Sequence, residues 1–395
     1  MEGSKKVILH IIHDSIWFDK VYLSFEGMDG YINRYLYRDI GIDKSSFEYI
    51  NYSEKVICAQ SLQEWGKIVS DPNNDIIYFQ GLWKSSLKAI DYISDNAIVM
   101  WWCLGMEIYS NLYGWAPLLP VRLYKPKTFS FMLTHSKSLR LFLSKILTWK
   151  FPLIYDGIQS IRYRISGRRI LHKELLSRID YAFTPLPIEL EELKYRHSYI
   201  KAKQFELRGK STQWPFNYQE KVGHILFDHS AMSNNNHLDL LAALRKCHLS
   251  DRHIFFPLSY GNKDIKDYLM KHASFEGAET HFLTEVMPRQ EYTDLLSNCS
   301  HALFGTIRQS GLGNTFILLR KGVKLFFFEE SIVYKYCKRE GYHVFSIEKD
   351  LNDESIVTPL PYDMALHNYN LFYKRRGVSD ETYQQQFDRI LSSHE

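Results

Sequence analysis

The sequence predicts an α/β protein built from two Rossmann-like, doubly wound domains. Three observations carry this reading: apolar, β-branched or aromatic runs of strand length recur along the 395 residues, longer helical patterns separate them, and the whole series occurs twice. Continuously apolar strands that alternate with helices belong to parallel sheets covered on both faces. A chain of this length also exceeds what one hydrophobic core usually holds.

In order, the strand candidates are "KVILHII" (6–12), "DIIYFQG" (75–81), "AIVMWWCLG" (97–105) and "DYAFTP" (180–185), then "HILFDHS" (224–230), "RHIFFPLSY" (252–260), "HALFGT" (301–306) and "VKLFFFEE" (323–330). Helical patterns cover Leu62 to Val69, Leu171 to Arg178, Leu238 to Lys246, Asp264 to His272 and Arg289 to Asn298. A polar, proline-containing stretch near 207–222 separates the two series and suits a linker. We therefore expect two Rossmann-like domains, an N-terminal one over 1–206 and a C-terminal one over 223–378, facing a cleft. A helix over 379–395 is expected to pack back on the first domain.

Composition bounds the function only loosely. The chain is 45% hydrophobic, 24% charged and 15% aromatic, with a net charge of +4. So mild a charge argues neither for nor against nucleic acid, and no recognised nucleic-acid module is present. The five cysteines, Cys58, Cys103, Cys247, Cys299 and Cys337, contain no C-x-x-C pair and fit reduced, buried thiols better than a disulfide framework or a zinc site. The opening "MEGSKKVILHIIHDS" reads as a first strand, its apolar run broken by His10, rather than a signal peptide. No run approaches the roughly 18 apolar residues of a spanning helix. The expectation is a cytoplasmic protein whose membrane contact is peripheral.

In open parallel sheets ligands bind beyond the carboxyl ends of the strands, and here those ends are polar or small: "HDS" (13–15), "QGL" (80–82), "LGMEIY" (104–109), "DHSAMSNNNH" (228–237), "PLSYGN" (257–262), "RQSGLGN" (308–314) and "EES" (329–331). "RQSGLGN" lies between a strand and a helical stretch. A helix start there offers unpaired amides and a positive dipole end, both suited to phosphate; an ordinary turn, in which Gly311 and Gly313 only supply unusual dihedrals, is the competing reading. Ser230, Ser233, Asn234 and Asn235 add neutral hydrogen-bonding groups and Arg308 a planar fork of donors, unless it is a surface ion pair. Such a set suits a diphosphate held without metal. No D-x-D motif stands at a strand end, no His or Cys spacing builds a metal site, and no metal or other cofactor is expected.

The blocks "ILFDHSAMSNNNHLDLLAAL", "FFPLSYGN", "YTDLLSNCSHALFGTIRQSGLGN" with "LLRKGVKLFFFEES", and "IIYFQGL" and "MWWCLGMEIY" in the first half, resemble the TDP-N-acetylfucosamine:lipid II N-acetylfucosaminyltransferases, glycosyltransferase family 56. The stretch 120–175 and the tail do not match. The resemblance implies a two-domain GT-B enzyme with the nucleotide sugar in the C-terminal domain. It places Ser230, Asn235, His237, Tyr260, Arg308, Gln309, Gly311, Gly313 and Glu330 at the donor. Ser233, Asn234 and Asn314 join them from their positions in the same loops. Glu107 and Asn314 depart from the family pattern, which has Asp and often Thr there, and this leaves sugar specificity open.

Glycosyl transfer needs a stabilised leaving diphosphate and, if configuration inverts, a base for the acceptor hydroxyl. Arg308 and the helix start serve the first. Base candidates are Glu107, Asp14 and His13, though acids at such turns also cap helices; Glu107 is preferred because Gly105 permits close approach. Gln80, Gly81, Trp102, Gly105 and Tyr109 are the acceptor candidates, Trp102 and Tyr109 by stacking. Glu330 either holds donor hydroxyls or caps a helix. Between 120 and 175 basic and aromatic residues cluster, with Phe142, Leu143, Ile146, Leu147 and Trp149 placed to enter a bilayer, or else a solvated face covers an ordinary core.

The expected function is transfer of a deoxy-amino sugar, 4-acetamido-4,6-dideoxy-D-galactose from a TDP donor, onto a polyprenyl-diphosphate-linked oligosaccharide at the inner face of the bacterial plasma membrane, in surface polysaccharide synthesis. The partners are then a nucleotide sugar, a polyprenyl-linked glycan and the membrane surface, with no nucleic acid. A UDP- or GDP-sugar donor, a nucleotide-sugar epimerase and a non-catalytic sugar-nucleotide-binding scaffold stand as alternatives.

Overall fold

A computed structural model describes residues 5–15, 18–110, 113–135, 146, 150–206, 213–216, 218, 223–376 and 381–392. The chain divides into two compact units, the first made of Met1–Pro120, Leu147–Thr212 and Ser379–Glu395, the second of Val121–Ile146 and Gln213–Val378. Each is an α/β unit around one wholly parallel sheet.

The sheet of the first unit contains β1 (Lys6–Ile12), β2 (Tyr31–Tyr37), β3 (Val56–Ile57), β4 (Asn74–Gln80), β5 (Ile98–Trp102), β6 (Tyr181–Phe183) and β7 (Lys203–Gln204), in the order β3-β2-β1-β4-β5-β6-β7. Ile8, Leu9, Ile11, Ile76, Ile77, Phe79 and Val99 are wholly buried, as strands sandwiched between helices require. His10 sits among them, stacked on Tyr35 at 4.7 Å and 2.9 Å from Asn33 Oδ1. The closing helix, Tyr383–Ser392, packs Phe387 and Leu391 onto Ile8, Phe25 and Tyr78. Gln384 there accepts from the Asp29 amide at 2.9 Å, and the Tyr31 hydroxyl donates to Asp388.

The second sheet contains β8 (His224–Phe227), β9 (Arg252–Pro257), β10 (Ala278–Leu283), β11 (Cys299–Phe304), β12 (Lys324–Phe327) and β13 (Phe345–Ser346), in the order β10-β9-β8-β11-β12-β13. In both sheets the chain starts near the middle, builds outward to one edge and then crosses back, so the strand order reverses between β1 and β4 and again between β8 and β11. A crevice outside the carboxyl ends opens at such a reversal.

Segment 121–146, placed by sequence in the first domain, groups with the second unit. Asp239 explains it: its carboxylate accepts from the Lys127 and Thr128 amides at 2.9 and 2.8 Å, capping helix Pro126–His135 from the neighbouring helix His237–Leu244. Phe131 and Met132 then pack on the second core.

Candidate functional site

In the second unit, the loops after β8 and β11 meet at the strand reversal. The Asp228 carboxylate accepts from the His229 amide at 2.7 Å and from the Gly305 amide at 2.9 Å, so one buried side chain ties the two loops together. Asp228 holds φ +62 to do so, a left-handed conformation that Asp tolerates better than most residues. Gly305 leaves no alternative: a Cβ there would stand 2.0 Å from the Asn235 carbonyl oxygen. Asn236, also left-handed, donates to the carbonyls of Gly305, Leu123 and Asn234 and accepts from the Lys125 amide.

The imidazole of His229 lies 2.6 Å from an Asp228 oxygen through Nδ1 and 3.0 Å from Ser310 Oγ through Nε2. Gly311 passes so close to this ring that a Cβ would meet Nδ1 at 2.8 Å, and it caps helix Leu312–Arg320 at φ +64. Two constraints, close approach and positive φ, thus select glycine at 311. Gly313 carries neither; it lies exposed in the first helical turn with open space around it, so the helix start belongs to Gly311 and Leu312. Thr306 Oγ1 donates to the Arg308 carbonyl at 2.9 Å and fixes the turn that presents Arg308, which itself donates to the Gln309 carbonyl.

Around this centre stand the other donor candidates. Asn235 is fixed by bonds from Nδ2 to the Ser230 carbonyl and hydroxyl at 3.0 and 3.1 Å. Its Oδ1 and the Nδ2 of Asn234 are buried without a partner among the described residues, and such groups ordinarily find one in a bound molecule. Ser233 lies 3.4 Å from the Tyr124 hydroxyl, Tyr260 is exposed, and Asn314 donates to the Tyr292 hydroxyl at 2.7 Å. Glu330 sits 3.6 Å from Lys125 Nζ, which also pairs with Glu348 at 3.2 Å. His237 is different. It is wholly buried against Phe227, and burial lowers its pKa to about 4.

The first unit revises the choice of base. Glu107 is only 2% exposed, and its Oε1 accepts from Leu104 N at 2.9 Å, Trp101 Nε1 at 3.2 Å and Leu82 N at 3.3 Å. Burial raises its pKa, with these donors pulling the other way. Through Oε1 the group clamps two strand-end loops, while its Oε2 is buried without a partner among the described residues. Glu107→Gln is expected to keep turnover, whereas Glu107→Ala, which strands three donors, is expected to cost about 3 kcal/mol in thermal or denaturant unfolding. A folded Gln variant slowed by the ~10²–10⁴ expected for a lost base would reinstate it.

Asp14 accepts the amides of Glu48, Tyr49 and Ile50 and anchors that turn. Tyr109 is buried, donating to Glu189 at 2.8 Å, and forms no open stacking platform; Trp102 is half-buried near Phe183. Gly81 and Gly105 hold φ +85 and +91 at the strand-end turns. His13 remains. Its Nδ1 contacts the Gln80 carbonyl at 3.1 Å, which assigns the proton to Nδ1 and the free lone pair to Nε2; burial, then Arg38, lowers its pKa to about 4. Trp83 lies 5.2 Å from this ring, with the Arg38 guanidinium 4.2 Å above its indole.

Sequence reasoning missed Asp228, His229, Ser310, Lys125, Arg38 and Trp83. The signal for the first two was local, an Asp-His pair directly after a strand. It also missed His253, Glu279 and His281, whose ligand atoms, one from each, lie within 4.8 Å of one another on β9 and β10. They sit on the strands themselves, not in the loops carrying the donor candidates.

The fold is the one shared by solved glycosyltransferases of the GT-B kind, and the class follows from a family match. Residues 191–375, just under half of the chain, match the family described as 4-alpha-L-fucosyltransferase glycosyl transferase group 56, the family that the sequence blocks resemble. Solved structures with the same fold include sucrose-phosphate synthase from Thermosynechococcus elongatus, with 10% identity and a TM-score of 0.55. The lipopolysaccharide outer core galactosyltransferase WaaB in its apo form, at 10% identity, and a glycosyltransferase from Rickettsia africae, at 11%, each score 0.52. The first and third cover 98% of both chains, the second 98% of this chain and 99% of its own. No curated protein matches the sequence.

Proposed function

We propose that this glycosyltransferase moves a deoxy-amino sugar, 4-acetamido-4,6-dideoxy-D-galactose, from a TDP donor to a polyprenyl-diphosphate-linked oligosaccharide at the inner face of a bacterial plasma membrane. The observation that carries the reading is the strand-reversal site of the second unit. There Gly311 opens a helix beside Ser310 and His229, Arg308 precedes it, and Asn234 and Asn235 hold buried polar atoms in search of a ligand.

In this reading the acceptor oxygen bonds to the anomeric carbon as the bond from that carbon to the diphosphate oxygen breaks, and both bonding electrons leave with the nucleoside diphosphate. The amides opening helix Leu312–Arg320 and the Arg308 guanidinium take up that charge. If configuration inverts, a general base receives the hydroxyl proton. Glu330 and Lys125 would meet the donor's hydroxyls.

The test is thermal-shift screening with TDP-, UDP- and GDP-linked sugars. A saturating TDP-sugar at about 100 times its Kd should stabilise by about 2.7 kcal/mol, and a preference for a UDP- or GDP-sugar would overturn the donor. Turnover is expected to survive chelators, because the leaving charge is met by protein groups. Strict Mg²⁺ dependence would contradict the metal-free site.

Membrane contact was expected from residues 142–149. Phe142, Leu143, Leu147 and Trp149 lie outside the described residues. Among the described residues no helix is long and apolar enough to cross a membrane.

A further inference from the structure

In the first unit, helix Pro152–Ile165 buries none of its residues. Ile154, Ile158 and Ile161 are each 62% exposed, Ile165 82% and Leu153 86%, with Phe151 exposed just before the helix. At 3.6 residues per turn the four isoleucines fall within an arc of about 60° and form a ridge about 16 Å long. Such a row of large aliphatic side chains standing in water marks an interaction surface.

The charges around the ridge select the partner. Arg162 and Arg164 project about 80° to either side of it, and both are exposed, as are Lys150 and Arg168. The one acid between 150 and 169 is Asp156, and it turns inward to accept from the Ala116 amide at 2.9 Å. Apolar ridge, cationic flanks and an internally spent carboxylate make a helix that lies in the headgroup plane of an anionic bilayer. A protein partner would need a deep groove for a single convex row and acids to meet the arginines.

We propose that helix Pro152–Ile165 is the membrane-docking element of this protein, its isoleucine ridge entering the acyl boundary and its arginines meeting anionic headgroups. The purpose of the docking rests on the reading of a lipid-linked acceptor; the binding itself does not. The test is flotation of the whole chain with phosphatidylethanolamine vesicles, with and without phosphatidylglycerol, with neither donor nor acceptor added. Binding to the anionic vesicles is expected. Ile158→Ser with Ile161→Ser should reduce it at least about tenfold, and Arg162→Gln or Arg164→Gln about fivefold each, with circular dichroism unchanged. Variants folded yet floating like the parent would overturn the assignment. So would a parent chain that ignores both vesicles, or one whose ridge proves by sedimentation to join two copies. Donor-induced thermal shifts would stand in any of these cases, so failure here is separable from failure of the transferase reading.

Discussion

Replacing Arg308 by alanine is expected to lower turnover by about 10²–10³-fold while leaving the fold intact. The guanidinium is half-buried on the loop that opens helix Leu312–Arg320, and the backbone turn beneath it is held by Thr306 rather than by the arginine side chain alone. Removing the side chain therefore deletes a charge without collapsing the loop. Arg308→Lys keeps the charge but loses the planar fork, so a partial recovery is expected. Gly311→Val supplies a second handle on the same centre: its Cβ would press on His229 Nδ1 at 2.8 Å at a φ of +64, and nucleoside-diphosphate binding should be lost. Steady-state kinetics and calorimetry on folded variants decide the matter. Parent-like turnover and affinity in Arg308→Ala would remove the diphosphate from this loop.

The second large effect is acid lability. His10, His237 and His301 are wholly buried, and burial lowers the pKa of each from 6.5 to about 4. Between those values the unfolded chain binds protons that the folded chain refuses, so stability falls as pH drops from 6.5 toward 4 and is indifferent to these groups above 6.5. Each contributes a slope of about 1.4 kcal/mol per pH unit, about 3 kcal/mol over the window, against a typical total of 5–15 kcal/mol. Both units are affected, since His10 lies in the first and His237 and His301 in the second. Tm measured from pH 8 to pH 5 should fall steeply below 6.5, and His10→Asn should flatten the slope. A Tm independent of pH over that range would mean that these rings accept protons in place.

The strands found by sequence are those whose side chains are apolar on both faces. β2 was missed because Asn33 and Arg34 interrupt its run; in the structure Asn33 meets His10, and Arg34 pairs with Asp71 at 2.7 Å. β10, "AETHFL", was missed because it is an edge strand with no fully buried residue. The loops of the donor site were legible because polar residues after an apolar strand are adjacent in the chain. Their internal wiring was not, since Asp228 to Gly305 and His229 to Ser310 span 77 and 81 residues.

Glu107 and His13 show the same division from the side of chemistry. Residue type and position at a strand end made both candidates, but proton transfer depends on exposure and on which atoms are already bonded. What the chain alone determined was two parallel α/β units and the loops on which ligands would sit, because side-chain periodicity and strand-end polarity are local properties. The tertiary structure alone decided that Glu107 is a buried clamp, that His229 belongs beside Gly311, and that a row of isoleucines faces water. Burial and hydrogen-bond partners are set by segments far apart in the chain.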